Sequence, residues 1–237
     1  MKILAVDSSS LTASVAVVED DITVAEYTVN YKKTHSQTLL PMLDEIVKMT
    51  ELDLQTVDAI ALAAGPGSFT GLRIGSATVK GLAQALNKPV VSVPTVDGLA
   101  GNLYGTDKLV CPIMDARRNQ TYTGLYEFIK KQEEYEMHCI RQQCAVDIAE
   151  IISVLNELGR EVIFLGDGVP VFKDSIREQI KVPYSFAPNT CNRQRASVIG
   201  WVAGKLYAQG KVETATEHAP EYLRLSQAER ERNEKNT

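Results

Sequence analysis

Long apolar runs are missing from this chain of 237 residues, and none approaches the ~20 residues that a bilayer-spanning helix needs. Asp7 interrupts the first segment, MKILAVDSSS, before a signal-peptide hydrophobic region can form, so a cytoplasmic protein with no membrane contact is expected. An excess of positive charge is missing too. There are 25 Lys and Arg against 30 Asp and Glu, a net charge of −5 and a pI of about 5.4, with no basic patch in view. Phosphate neutralisation supplies most of the affinity of a nucleic-acid binder, so any role with RNA is expected to run through a partner. Cysteine is scarce, and Cys111, Cys139, Cys144 and Cys191 match neither a C-x-x-C nor a zinc spacing; free thiols are expected. His35, His138 and His218 form no H-x-x-x-H or H-E-x-x-H pair, which leaves no metal site to expect. The Walker A spacing is absent as well.

What the chain does have is GPGSFTGLRIG, from Gly65 to Gly75. A short apolar run, Val57 to Ala63, reads as a buried strand before it. Gly65, Pro66 and Gly67 then turn the chain sharply. Ser68 or Thr70, beside Phe69, can cap a helix of about 71–86. That helix carries Gly71, Gly75 and Gly81, which together cost ~3 kcal/mol against alanine, a cost accepted where another backbone comes close. Strand, glycine turn and helix N-terminus is also an arrangement that holds phosphates. A tight turn with close helix packing and an anion site both remain open.

Taken in order, 3–6 is a strand, 12–18 and 22–29 form a hairpin, and 34–50 is a helix with Pro41 expected to kink it or shift its start toward residue 40. The strand to Ala64, the glycine turn, the helix, a strand at 90–93 and a short helix at 95–104 complete the first half. Then the order repeats: a strand at 109–114, a hairpin of 121–129 and 135–141, a helix capped by Asp147, a strand at 162–165, the turn Gly166-Asp167-Gly168 and a helix at 169–179. An extended piece runs on to Phe186, and 196–208 reads as a last helix. Asp7 precedes Gly65 by 58 residues and Asp115 precedes Gly166 by 51. Two βββαβα halves, each with an aspartate after its first strand and a glycine turn after its fourth, indicate an internal duplication.

That element order is the plan of the actin, hexokinase and Hsp70-like ATPases, the ribonuclease H-like or ASKHA fold, with two lobes and a cleft. The expected division is 1–104 and 105–194, the last helix (195–210) packing back on the first lobe and 226–237 a mobile tail. In such folds Asp7, Ser8 and Ser9 occupy a phosphate-binding turn. Here they form either a vestige of one or a turn tied by the Asp7 carboxylate. Arg117 and Arg118 are either cleft anion contacts or a solvated turn. On the first helix, Leu39, Leu43, Ile46 and Val47 suffice to meet a sheet. Leu40, Met42 and Met49 are left over, and burying them is worth ~5–9 kcal/mol. With the small residues Gly71, Gly75, Thr78 and Gly81 on the second helix, they form a surface awaiting a partner.

The segments ILAVDSSS, HSQTLLP, GPGSFTGLRIG with KGLAQAL, DARRNQTY, LGDG and Tyr222-Leu223-Arg224 closely resemble the TsaB family. These are accessory subunits of the bacterial machinery that places threonylcarbamoyl on N6 of the adenosine beside the tRNA anticodon. The resemblance covers most of the chain, and the glycine motif is its most specific part. It implies a non-catalytic subunit that binds and activates the paralogue TsaD, with TsaE as a further partner and TsaC making the threonylcarbamoyl-adenylate. It also implies contact with tRNA only through the complex, and a self-dimer where TsaD is absent. The implied interface is Leu39, Leu40, Met42, Leu43, Ile46 and Met49 with Gly71, Arg73, Gly75 and Thr78, so Gly75→Leu is expected to spare the fold and abolish pairing. TsaD holds its metal with two histidines, and the matching positions here are Thr95 and Leu99, which cannot replace them. No cofactor and no catalytic residue are expected, a nucleotide at the subunit junction being left open. The rival readings are a stand-alone ATPase or small-molecule kinase using the cleft, and a homodimeric scaffold unrelated to tRNA.

Overall fold

The structure, a computed structural model, describes residues 1–224. The expected tail, 226–237, lies outside the described residues. Strand β1 (Lys2–Asp7) pairs antiparallel with β2 (Ala13–Glu19), which pairs with β3 (Ile22–Val29). Helix α1 (His35–Met49) leads to β4 (Ala59–Gly65), parallel to β1, and α2 (Phe69–Leu86) leads to β5 (Val90–Pro94), parallel to β4. The sheet order is therefore β3-β2-β1-β4-β5.

Both faces of this sheet are covered, which is why β1 and β4 read as continuous apolar runs rather than alternating ones. Leu4, Val6, Val15, Val17, Ile60 and Leu62 face α1 and α2. Ile3, Ala5, Ala16, Ala59 and Ala61 face the other way, onto Ile199, Val202 and Ala203 of α6 (Ala196–Ala208). Small residues dominate that second face, so α6 comes close: a Cβ on Gly200 would stand 2.6 Å from Val18 Cγ2.

The second half repeats the design. β6 (Leu109–Asp115), β7 (Gln120–Lys131) and β8 (Glu134–Asp147) form an antiparallel meander, followed by α4 (Ile148–Leu158), β9 (Val162–Leu165), α5 (Val169–Gln179) and β10 (Tyr184–Phe186). Its order, β10-β9-β6-β7-β8, is the first sheet's order read from the other edge. The duplicated βββαβα plan of the actin-like ATPases is thus the fold. Between the sheets lies α3 (Thr95–Gly101), whose Val96, Leu99 and Ala100 pack on Val110, Met114 and Tyr126. Tyr126 donates to Asp97 Oδ1 at 2.6 Å.

Several boundaries differ from the sequence reading. Pro41 sits inside α1, which starts at His35 all the same and not near residue 40. α2 starts two residues early because Ser68 is its cap, accepting from the Gly71 N–H at 3.3 Å. β7 and β8 are longer than expected, chiefly because residues 142–147, mostly half-buried, continue β8 opposite the start of β7.

Candidate functional site

A cavity of about 970 Å³ opens between the two sheets, at the ends of β1, β4, β6 and β9. Its walls come from the segments after those strands: Ser9, Ser10 and Gly67–Phe69 on one side, and Asp115–Arg118 with Asp167 on the other. This is the crevice at which open sheets of parallel strands place ligands.

The Asp7-Ser8-Ser9 turn is consumed by the fold. Ser9 donates to Asp7 Oδ1 twice, from N–H at 2.9 Å and from Oγ at 2.6 Å. Ser8 Oγ donates to Gly71 O at 2.9 Å, and Ser68 N–H to Ser9 O at 2.6 Å. So the turn is tied by its carboxylate and bolted to the start of α2. Burial pushes the Asp7 carboxyl up to about 6, the charge of Asp167 across the cleft adds to this, and the Ser9 bonds oppose it. The sign follows from linkage. The native state holds the proton more tightly than the unfolded chain, so this contribution to stability is full below about pH 4 and is lost as pH rises through about 6. Asp7→Asn keeps an acceptor for Ser9 and removes the buried charge. It is expected to raise unfolding stability by ~2–3 kcal/mol at pH 7.5 and by little near pH 4, read from urea titrations at both.

The glycines of the motif are close-approach positions within the chain. A Cβ on Gly71 would stand 2.1 Å from Ser8 O, on Gly75 2.2 Å from Ser8 Oγ, and on Gly67 2.3 Å from Ser9 O. This corrects the expectation that Gly71 and Gly75 form an outward surface. Both are buried against the β1 turn, and Gly75→Leu would break the fold before it tested pairing. Gly81 is different, with open space where its Cβ would be. On α1 the expected division is corrected twice. Met42 is buried with Leu39, Leu43 and Ile46, whereas Val47 is only half-buried. Leu40 and Met49 are 56 % and 76 % exposed, so they alone of the six α1 candidates offer apolar surface. Nine residues apart, they emerge on opposite flanks of the helix. Arg73 is exposed and Thr78 half-buried.

Arg117 and Arg118 are exposed at the rim of the cleft, and with Asn119 they form three successive left-handed residues, φ 64°, 55° and 60°. Non-glycine residues there cost ~1–2 kcal/mol each. Arg117 pairs with Asp115 at 3.0 Å, and Arg224 props the turn by donating to Ala116 O and to Arg117 O. Thr95 and Leu99 are fully buried: Thr95 Oγ1 accepts from the Gly65 N–H at 3.2 Å and Leu99 packs in the interlobe core.

Of the segment after α6, sequence reasoning singled out only Tyr222-Leu223-Arg224 and gave it no place in the fold. The segment returns along the first sheet, where Glu213 exchanges two backbone bonds with Val90, and it enters the cleft mouth at Glu221. Glu221 N–H donates to Ala64 O at 2.7 Å, and Tyr222 stacks on Phe69 with ring centroids 4.3 Å apart. Arg73 lies over the same Phe69 ring at 4.1 Å and donates to Tyr222 Oη at 3.3 Å. His218 anchors this strap. It is buried, its Nε2 meets Ser76 Oγ in a short bond, and its Nδ1 faces Glu213 Oε1 at 2.8 Å and Ser92 Oγ at 2.9 Å. The sequence showed no nucleophile–base pair, yet here are a serine, a histidine and a glutamate in line. Ser76 lies within α2, buried, and outside the cavity lining, so a substrate has no way to its hydroxyl. The trio is a pin. His218→Ala leaves the buried Ser76 hydroxyl unmatched and takes one partner from the half-buried Ser92 and Glu213, which still meet each other, and is expected to cost ~1–3 kcal/mol. It should also speed amide exchange at Val90 and Glu213, while Ser76→Ala has the smaller effect.

Among the described residues no helix is long and apolar enough to cross a membrane. Comparison with known proteins is consistent in direction. The family model of TsaD, tRNA N6-adenosine threonylcarbamoyltransferase, matches residues 23–232. The tRNA threonylcarbamoyladenosine biosynthesis protein TsaB of Bacillus subtilis is 35 % identical over 97 % of this chain and 96 % of its own length. The Escherichia coli protein of the same name is 28 % identical over 94 % and 95 %. YeaZ from Pseudomonas aeruginosa superposes with a TM-score of 0.78 at 28 % identity, over 94 % of this chain and 99 % of that one. A second Pseudomonas aeruginosa structure, described as similar to peptidase YeaZ, gives 0.77 at 27 %.

Proposed function

The chain belongs to the TsaB family of tRNA threonylcarbamoyladenosine biosynthesis proteins, within the reach of the TsaD family model, and from that premise we propose that it is the non-catalytic subunit that binds and activates TsaD. Identity of 35 % over 97 % of the chain is the observation that carries this reading. The site chemistry agrees. The two positions matching the TsaD histidines hold a threonine that braces the glycine turn and a leucine in the core. His218, the histidine that meets Ser76 and Ser92, is buried away from the cleft, which speaks against a peptidase. Two lobes, 1–104 and 105–194, would then serve as a rigid platform.

The docking surface we favour is the outer face of α2 beside α1. Ile74, Thr78, Gly81 and Ala85 follow one another at helical spacing and are half-buried or exposed, with Leu40 or Met49 at the border. Leu39, Met42, Leu43 and Ile46 support that face from beneath. TsaE and TsaC act in the same pathway, tRNA is reached through the complex, and the same face pairs two copies where TsaD is absent. The test is reconstitution of tRNA modification from TsaC, TsaD, TsaE and ATP, with and without this chain. Modified adenosine is expected only with it. Full activity without it would sink the proposal, and so would turnover of Mg-ATP by the chain alone.

A further inference from the structure

Beyond His218 the strap does not stay on one side of the cleft. Glu221 N–H donates to Ala64 O of β4, in the first half, at 2.7 Å. Its Oε2 accepts from Gln143 Nε2 of β8, in the second half, at 2.9 Å. Tyr222 returns to the first half, where it stacks on Phe69 of α2 and accepts from Arg73 Nε. Arg224 crosses again, donating to Ala116 O and, at 3.2 Å, to Arg117 O. Within four positions the strap thus holds each half twice, and residues 221–224 all line the cleft cavity.

These holds differ from the anchor before them. At the anchor Glu213 and Val90 exchange backbone bonds, and His218 is buried, its carbonyl accepting from Lys80 Nζ at 2.8 Å. Glu221 and Tyr222 are exposed, and segments held by a few surface contacts open at lower cost than buried ones. The fastened arrangement also carries costs that opening removes. Gln143 Oε1 is buried and has no partner among the described residues, a state that water would relieve. Arg224 grips the carbonyls at the start of the left-handed run Arg117-Arg118-Asn119, backbone that persists only where its surroundings hold it. Meanwhile α3 joins the halves without the strap, packing Val96 and Leu99 on Val110 and Met114.

We propose that residues 221–224 are a releasable clasp across the cleft. Fastened, they hold the two halves at the spacing described and wall one side of the cavity. Released, they swing away from the standing anchor at His218, the halves stay joined through α3, and the cavity widens. The holds lie so close along the chain that they part together. Neither the family assignment nor the docking face on α2 is needed for this reading.

Amide exchange followed by NMR, with small-angle X-ray scattering, tests it on the full chain. Tyr222→Ala removes a hold on the first half only, and Arg224→Ala a hold on the second only. Arg224→Ala is expected to speed exchange about tenfold or more at Glu221, whose N–H is bonded to the opposite half. Tyr222→Ala is expected to do the same at Gln120, whose N–H donates to Arg117 O within the turn that Arg224 props. Because the holds act as a unit, the double variant should exceed either single one by less than about twofold at both amides. Its radius of gyration should be larger than the parent's, and exchange at Val90 and Glu213 should stay as slow as in the parent. Effects confined to the half that each substitution touches would mean separate local contacts and overturn the clasp. An unchanged radius in the double variant would overturn it too. So would lost protection at Val90 and Glu213, since the strap would then unfold whole instead of swinging from its anchor.

Discussion

A Gly71→Ala chain is expected to lose about 3 kcal/mol of unfolding stability. The added carbon would meet Ser8 O at 2.1 Å, and that oxygen belongs to the backbone of the β1 turn, which cannot rotate away. Ser8 is itself held to Gly71 O, so α2 and the turn must part together, opening the Ser68–Ser9 bond on the way. Helix propensity acts the other way: alanine should gain ~1 kcal/mol over glycine in a helix. The net sign therefore tells close approach from mere tolerance. Gly81→Ala supplies the control, since nothing stands within 4 Å of its Cβ; it should gain ~0.5–1 kcal/mol. Urea titrations of the two variants beside the parent settle the matter. A Gly71→Ala chain as stable as Gly81→Ala would mean that the turn and the helix are not bolted together as described. Gly65→Ala should fail in a related way, with φ at 130° and a Cβ 2.1 Å from Glu221 O, and so it reports on the strap.

The contrast between these glycines shows what the sequence could tell and what it could not. Spacing identified a costly helix with a close neighbour, and the repeat of aspartate and glycine turn gave the duplicated fold. Both come from local patterns, legible one segment at a time. Which neighbour comes close is a tertiary fact. Gly71 and Gly75 are four apart and share a face, so the pattern gave one surface, but only the packed β1 turn shows that the face is inward. Met42 and Val47 changed places for a similar reason, since a stripe wide enough for two boundaries does not say where α2 covers it. The course of the strap was illegible, although Tyr222-Leu223-Arg224 stood out as a motif. Residues 211–224 have almost no regular structure, and their order comes from partners more than 100 positions away, such as Ser76 and Lys80. His218 looked isolated because its companions are distant in sequence, and His35 looked like a helix opener because its ring meets Gly71 only after folding.

Gly81→Leu is expected to weaken pairing with TsaD by roughly 100-fold or more while leaving the fold intact, the second large effect. The position fulfils both demands that Gly75 failed. Its Cβ points into open space, so a leucine side chain has no wall of its own protein to strike. It also lies in the stripe with Ile74, Thr78 and Ala85, where a partner helix needs small residues to come within contact distance. A leucine there holds two helices apart in the middle of their contact, where interface energy concentrates. Leu40→Asp and Met49→Asp then decide the border. These side chains emerge on opposite flanks of α1, so a partner centred on α2 covers only one of them closely, and one replacement should weaken binding far more than the other. Thermal unfolding of each variant alone should stay close to that of the parent, which separates lost pairing from lost structure. Undiminished affinity in Gly81→Leu, measured by titrating TsaD in an ultracentrifuge or calorimeter, would move the interface off this face. The same variant read in the absence of TsaD tests the self-pair, because a symmetric contact through the α2 stripe places two leucines against each other and should leave the protein monomeric.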